Sequence, residues 1–199
     1  MTKIMKYYEI KYPDLDYNYV YSALNMEEDL VNNIKGKELR KIYVSLFGYM
    51  ESAKKGENLI DCSYMGGPLF LIFDDIVLYL VIHAEGVMEY HFLKKWEVKI
   101  YELEEEPNRI DIYNKGFYYD ISSELALKYE SQKVEEIVVD KVDTYAFVLR
   151  GFDKEKGDIA MSKGDMPANV LFGLKNNNVL ELLGDCIEYY LIKMSEKSK

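Results

Sequence analysis

Two histidine–carboxylate pairs give this chain its one indication of a metal site. His83 and Glu85 precede a predicted turn, and Glu89 and His91 follow it. Residues two apart on a strand point to the same face, so each pair can present an imidazole beside a carboxylate. These groups suit Zn²⁺. A three-residue turn would bring His83, Glu89 and His91 together, whereas a two-residue turn would separate them.

We favour the interpretation that these four side chains are ordinary sheet surface, and we expect no cofactor. A metal-dependent enzyme built on His83, Glu85, Glu89 and His91 stays the alternative. No other arrangement strengthens the enzyme hypothesis. Asp74–Asp75 with Glu85 lacks the lysine that metal-dependent nucleases place two residues further on. The sequence marks no basic partner for Cys62. We therefore predict that the protein is not an enzyme.

Charge and composition exclude several partner classes. The 199 residues include 25 basic and 35 acidic side chains, a net charge of −10. Such a chain is repelled by nucleic acid phosphates and by anionic lipid, and it favours a basic partner. The most apolar run, Pro68–Ala84, contains two aspartates and is too short to span a membrane. The start of the chain lacks a secretory signal pattern, and Cys62 and Cys186 form no CxxC motif, so we expect reduced thiols and a cytoplasmic location.

Acidic residues concentrate in the middle of the chain, where residues 102–158 hold fifteen acidic and eight basic residues. A glutamate run beside proline is often a solvated loop, which is one interpretation. The other is a docking face for a basic partner, because carboxylates steer association and tyrosines supply contact area. The candidate docking residues are Glu102, Glu104, Glu105, Glu106, Asp111, Tyr113, Tyr118, Tyr119 and Asp120.

The elements that must position these residues are mainly β-strands, predicted from alternating apolar residues. The pair Asp74–Asp75 separates two short apolar runs and predicts a hairpin turn, after which residues 87–92 return as a third strand. Residues Trp96–Leu103 predict a fourth strand of the same meander. Helical patterns are fewer: Asn25 is placed to cap a helix over MEEDLVNNI, and Ser122–Ser123 precede a second short helix.

Several short motifs recur in the same order about half a chain apart, which indicates an internal duplication. The alternative is that any two hairpins share alternating valine and leucine. We expect a β-rich α+β fold in a single domain, 1–199, built from two similar antiparallel β-meanders packed together with a few short helices, in halves 1–103 and 104–199. The matched motifs are Leu46–Tyr49 with Leu149–Phe152, Asp74–Asp75 with Asn176–Asn177, Val77–Leu80 with Val179–Leu182, and Glu89–Tyr90 with Glu188–Tyr189.

The chain resembles small acidic bacterial toxin-immunity proteins and their unannotated Gram-positive relatives. The resemblance lies mainly between Gly48 and Val98, in GYMES, NLIDCSYMGGPLFLIFDD and LYLVIHAEGVMEYHFLKKWEV, with weaker echoes at GFDKEKGD and DCIEYYLI.

That resemblance implies a cytosolic, non-enzymatic protein that neutralises a basic, nuclease-type toxin by occlusion. It carries over no functional residue. A structural domain, or one that binds a small ligand between its two halves, is the alternative, with the metal-dependent enzyme behind it. The oligomeric state and the identity of the partner stay open.

Overall fold

Twelve strands and one helix make up the described part of the chain. The computed structural model describes residues 4–13, 15, 25–45, 59–63, 68–82, 88–104, 116–122, 132–148, 160–175, 178–185 and 189–196, some of the strand residues by their backbone alone. In chain order the elements are β1 (Met5–Lys11), α1 (Met26–Ile34), β2 (Leu39–Ser45), β3 (Leu59–Ser63), β4 (Leu69–Phe73), β5 (Val77–Ile82), β6 (Met88–Leu93), β7 (Glu97–Leu103), β8 (Phe117–Asp120), β9 (Val134–Val148), β10 (Ala160–Leu174), β11 (Asn178–Asp185) and β12 (Tyr189–Glu196).

The strands form two antiparallel sheets, which confirms the β-rich fold class. The seven-stranded sheet has the order β6-β5-β4-β2-β8-β1-β7, and the five-stranded sheet has the order β3-β12-β11-β10-β9. Each half of the chain gives one strand to the other half's sheet: β3 joins the five-stranded sheet and β8 joins the seven-stranded one. The sheets therefore interleave across residue 103.

The predicted meander is confirmed for three strands and wrong for the fourth. β4, β5 and β6 are consecutive antiparallel neighbours. The turn at Asp74–Asp75 is closed by the Phe73 amide, which donates to the Ile76 carbonyl at 2.9 Å. β7 does not pair with β6. It crosses to the far edge of the sheet and pairs with β1 through seven residue pairs, a partner that local alternation could not reveal.

Helix α1 forms at the predicted place because its apolar residues lie on one face. Met26, Leu30 and Ile34 recur every fourth residue and are completely buried. Three acidic residues occupy the first turn, where the helix dipole favours them. The chain leaves the helix at Gly36, whose φ of 85° suits glycine. The predicted cap is wrong in detail, since the Asn25 side chain makes no capping hydrogen bond. The predicted helix after Ser122 lies outside the described residues.

The acidic first turn of α1 also fastens the helix to both sheets. Asp29 accepts a hydrogen bond from the Tyr90 hydroxyl on β6 at 2.6 Å. Glu27 accepts one from the Val139 amide on β9 at 3.2 Å. β9 is an edge strand of its sheet, and the Glu27 carboxylate therefore accepts a hydrogen bond from a backbone amide at that edge. The helix therefore joins an edge of one sheet to an edge of the other.

The inner faces of the two sheets share one hydrophobic core. Across the first sheet, paired residues form the inner row Ile42, Leu71, Leu78 and Phe92. Across the second sheet, the row with the same order of neighbours is Ile137, Phe172, Leu180 and Met194. A second row in each sheet is matched likewise: Val44, Leu69, Leu80 and Tyr90 beside Val139, Val170, Leu182 and Ile192.

The same irregularity interrupts the pairing at corresponding places. In β2 the register shifts between Leu39 and Lys41, so that Arg40 is skipped. In β9 the register shifts at the end of β10, so that Glu135 is skipped. Of the matched motifs, Val77–Leu80 and Val179–Leu182 occupy corresponding rows. The Glu-Tyr match is wrong, because Tyr90 pairs with Leu80 whereas Tyr189 pairs with Asp185. Residues 46–49 and 149–152 lie outside the described residues.

The two sheets are joined where β2 and β9 begin. An isolated antiparallel bridge pairs Glu38 with Lys133. On either side of it, the Leu39 amide donates to the Gln132 carbonyl at 3.0 Å, and the Val134 amide donates to the Lys37 carbonyl at 2.9 Å. The first residues of β2 and the first residues of β9 are thus hydrogen-bonded to each other.

No helix among the described residues is long and apolar enough to cross a membrane.

We predict that the two sheets unfold as one unit, because their inner faces contact each other in a single core. Leu78→Ala and Leu180→Ala each truncate a completely buried side chain and should each lower the free energy of unfolding by about 2–5 kcal/mol. Urea titration followed by circular dichroism and by Trp96 fluorescence measures this. Val138→Ala, at a 39% exposed position, is the control and should cost less than about 1 kcal/mol. Two separate transitions, or probes that disagree, would contradict a shared core.

Candidate functional site

The outer face of the seven-stranded sheet is covered and rich in aromatic side chains. Tyr43, Phe70, Tyr79 and Tyr118 are all buried there although they point away from the shared core. Tyr12, Leu15 and Trp96 pack against them from neighbouring segments of the chain. The rings meet edge to face, for example Phe70 and Tyr118 at a centroid distance of 5.0 Å. This surface, which we name the covered face, acts as a second core.

A charged pair lies within the covered face. The Lys41 Nζ donates to Asp120 Oδ2 at 2.6 Å and lies 5.7 Å from the ring centroids of both Tyr8 and Tyr43. Asp120 also accepts a hydrogen bond from the Ser122 amide at 3.0 Å. These contacts hold the turn after β8 against β2.

The surroundings of this pair keep both partners charged. Burial alone would raise the pKa of Asp120, but hydrogen bonds from Lys41 and Ser122 outweigh it and hold the pKa below its ordinary value. Burial alone would lower the pKa of Lys41, but the hydrogen bond with Asp120 and the Coulombic attraction of Tyr43, Asp120 and Tyr8 together outweigh it and raise that pKa. Burial raises the pKa of Tyr43 to about 12, so its hydroxyl stays neutral.

Of the tyrosines in the predicted docking segment, the two that the structure describes, Tyr118 and Tyr119, are buried or half-buried. Tyr118 is only 7% exposed and belongs to the covered face, so the expectation of an exposed contact residue is wrong there. Tyr119 points to the opposite side of β8, half-buried, with its ring 5.4 Å from that of Tyr7. Residues on a strand alternate between faces, and both faces of this central strand are buried. Asp120 is bound within the chain by Lys41.

The acidic members of that segment have mixed positions. Glu102 and Glu104 are exposed near the end of β7, and Glu102 pairs with Lys6 of β1 at 3.2 Å. Such an exposed pair contributes little to stability. The remaining candidates, Glu105, Glu106, Asp111 and Tyr113, lie outside the described residues.

The predicted metal ligands are only partly described. His91 is buried on the covered face, where its ring lies 5.3 Å from that of Tyr79 on the neighbouring strand. His83, Glu85 and the side chain of Glu89 lie outside what is described. Within the described residues, no three His, Cys, Asp or Glu side chains gather as a metal site.

The outer face of the five-stranded sheet is different in kind. Since Ile137 and Val139 point into the shared core, their neighbours in β9 point outward. Of these, Glu136 and Asp140 are exposed, and Val138 is 39% exposed. We name the outward-facing side chains of this sheet the open face. Its described members are Glu136, Val138, Asp140, Leu171, Gly173, Val179, Glu181 and Ser195.

The open face combines an apolar strip with carboxylates around it. Val138 pairs with Leu171 across β9 and β10, and Leu171 pairs with Glu181 across β10 and β11. Gly173 lies between Glu136 and Val179 on the neighbouring strands. Its missing side chain matters, because a methyl group there would lie 3.0 Å from the Cβ of Glu136. Glycine therefore lets Glu136 lie close against the sheet.

Sequence reasoning missed this face because residues 102–106, four of them glutamates, form a denser acidic run than residues 136–140. The available signal was alternation. In residues 136–140, the acidic and exposed positions fall on every second residue, while Ile137 and Val139 take the positions between them. This pattern is typical of a strand with one face in water.

We predict that the Lys41–Asp120 pair stabilises the fold in a pH-dependent way. The pKa of Asp120 is lower in the folded chain than its ordinary value of 3.8, so its contribution is present above about pH 4 and is lost as pH falls through the folded pKa. Asp120→Asn should lower the free energy of unfolding by about 1–2 kcal/mol at pH 7, and the difference from wild type should shrink below about pH 4. Urea titrations from pH 3 to pH 7 measure it.

The matched control is Asp75→Asn, in an exposed turn where Asp75 pairs with Lys37. That surface pair should contribute less than about 1 kcal/mol. A difference between wild type and Asp120→Asn that did not change with pH would count against the charged pair.

Comparison of the chain with protein-family models, with curated proteins and with solved structures gives no match. The chain's own residues thus carry the functional conclusion: one outer face is completed by aromatic side chains, and on the other the described side chains place Val138 and Leu171 among the carboxylates of Glu136, Asp140 and Glu181.

Proposed function

We propose that the protein is a non-enzymatic, cytoplasmic binding protein that neutralises a basic protein partner by occlusion, as an immunity protein neutralises a nuclease-type toxin. The observation that carries the proposal is the open face. It leaves Val138 39% exposed between the carboxylates of Glu136 and Asp140 on an antiparallel sheet. An exposed sheet face that mixes apolar and acidic side chains suits protein–protein contact better than small-ligand binding.

The net charge of the molecule supports the proposal that the partner is basic. A net charge of −10 attracts a basic protein over a distance of about 10 Å at 0.1 M salt and speeds its association. On the open face, Glu136, Asp140 and Glu181 give this attraction a local direction. The half-buried Leu171 and Val179 supply apolar area that a contact can bury.

The mechanism that we propose is competition for a phosphate-binding surface. A nuclease binds its substrate through basic side chains, and these are the groups that carboxylates satisfy best in charge-assisted hydrogen bonds. Carboxylates of the open face would occupy those side chains and block the substrate. The open face lies on paired strands, so the backbone that carries its carboxylates is already ordered before binding. This role needs no reaction and no cofactor.

We also propose that the two four-stranded meanders, β2-β4-β5-β6 and β9-β10-β11-β12, are copies of one unit. Matching inner rows, matching register shifts at Arg40 and Glu135, and the bridge between Glu38 and Lys133 support this. Under that relation, Glu38 and Lys133 are corresponding residues that pair with each other, as expected on a two-fold axis.

The binding proposal predicts a basic partner held by the open face. Capture from extract of the native host at low salt should yield a protein with an isoelectric point above about 9. Isothermal titration of the purified pair should show affinity that falls as salt rises. Glu136→Lys with Glu181→Lys should weaken binding by about 10–100-fold, because two attractive charges become repulsive.

The matched control is Glu102→Lys with Glu104→Lys, which makes the same change of charge at exposed positions near β7. It should alter affinity by less than about threefold once salt screens the change in net charge. An acidic or neutral partner, or affinity that does not depend on salt, would sink the proposal.

The duplication proposal predicts that corresponding inner positions can exchange residues. Leu39 and Val134 are both buried and take corresponding places beside the joint. Val134→Leu alone should destabilise by about 1–3 kcal/mol through overpacking, and Leu39→Val alone by about 1 kcal/mol. The double variant should lie within about 1 kcal/mol of wild type, since it restores the total volume. Additive losses in a urea-denaturation cycle would contradict the proposal.

A further inference from the structure

The edge of the seven-stranded sheet at β7 offers a second interaction surface. β7 pairs with β1 along all seven of its residues, and no described strand pairs with its other side. An unpaired edge presents a row of backbone donors and acceptors that a further strand can bind. At the middle of this edge, Ile100 is 58% exposed, whereas its neighbours in sequence are polar or aromatic.

We propose that β7 pairs antiparallel with β7 of a second copy of this chain, around a two-fold axis that passes through Ile100. The two seven-stranded sheets then join into one continuous sheet across the dimer. In this register Ile100 contacts Ile100 of the partner subunit on the outer side. All seven residues of β7 find a partner.

The absence of opposed like charges and a cation–π pairing favour this register. It places Lys99 opposite the partner subunit's Tyr101, and the reverse, on the inner side of the sheet. Within one chain Lys99 Nζ already lies 4.8 Å from the Tyr101 ring centroid, so this pair of groups is attractive. Glu97 falls opposite Leu103 and Val98 opposite Glu102. No like charges oppose each other.

Other symmetric registers are poorer. An axis through Lys99, Glu97 or Glu102 would set a charge against its own copy, which is destabilising. An axis through Val98 would pair Glu97 with Lys99 but would use only three residues of β7. An axis through Tyr101 would pair only five residues of β7. The register centred on Ile100 is the one that pairs all seven residues of β7 without setting a charge against its own copy.

The ion pair between Lys6 and Glu102 also favours the register centred on Ile100. Its 3.2 Å ion pair engages Glu102 from β1, on the side away from the proposed partner. The opposing Val98 therefore meets a carboxylate that already has a cation beside it. The residues that flank Ile100 on the outer side are then either apolar or paired.

Analytical ultracentrifugation of the full chain over a range of concentrations tests the proposal. It should be run at about 0.15–0.3 M salt, so that the net charge of the two copies is screened. Wild type should show a reversible monomer–dimer equilibrium. Ile100→Lys should raise the dissociation constant at least about tenfold, because two ammonium groups would meet on the axis.

A matched control separates this effect from a change in total charge. Ile4→Lys makes the same substitution at a position that is 59% exposed but lies at β1, away from the free edge. It should leave the dissociation constant within about threefold of wild type, since the edge of β7 is unchanged. A strictly monomeric wild type, or equal losses in the two variants, would overturn the proposal.

A disulfide tests the register directly. Antiparallel partners across a two-fold axis have Cα atoms about 4.5–5.5 Å apart, within the range that a disulfide bridges. Ile100→Cys should therefore form a covalent dimer under mild oxidation that wild type, with its native Cys62 and Cys186, does not form. Val98→Cys is the control and should remain a monomer on a non-reducing gel. Cross-linking through Val98→Cys but not Ile100→Cys would overturn the register.

Discussion

The shared core between the two sheets is the constraint on which the rest of the structure depends. Each sheet has an apolar inner face that it cannot bury by itself, and each covers the other with matching rows such as Ile42–Leu71–Leu78 and Ile137–Phe172–Leu180. The joint at Glu38 and Lys133 fixes how the rows meet. Because the inner faces are buried against each other, only the outer faces, the sheet edges and the loops remain available for function.

Helix α1 shows how this constraint uses acidic residues. The charges of its first turn would stabilise an isolated helix end through the dipole alone. Here Asp29 and Glu27 reach Tyr90 on one sheet and the Val139 amide on the other. Acidity in this chain is therefore of two kinds. Some carboxylates make internal hydrogen bonds, as at Asp120 and Asp29, while Asp140 lies exposed on the outer face of the second sheet.

Patterns that are local in the sequence predicted local structure well. Alternation and the Asp74–Asp75 turn gave β4, β5 and β6, and the spacing of Met26, Leu30 and Ile34 agrees with α1. The pairing of distant strands could not be predicted from local patterns, because the pairing of β7 with β1 depends on how whole edges of the sheet fit together. The predicted docking residues failed at Tyr118 for a related reason: tyrosine alternation does not say which face of a sheet will be covered by another part of the chain.

The two outer faces differ in what they expose, and this difference is the reason that the proposed binding surface lies on the second sheet. Corresponding positions carry Tyr43 and Val138, Phe70 and Leu171, Tyr79 and Glu181, as the matched registers show. In the first sheet these side chains are large and aromatic, and the chain covers them with Tyr12 and Trp96. In the second they are smaller or charged, so they tolerate water. Two sheets with the same arrangement of inner apolar residues thus differ in their outer faces: one is covered by the chain and the other is exposed to water. A sheet face can stay exposed to water without cost only when it is polar enough. The carboxylates around Val138 therefore keep the open face stable in the free protein. They also set the sign of the charge that a proposed partner must carry.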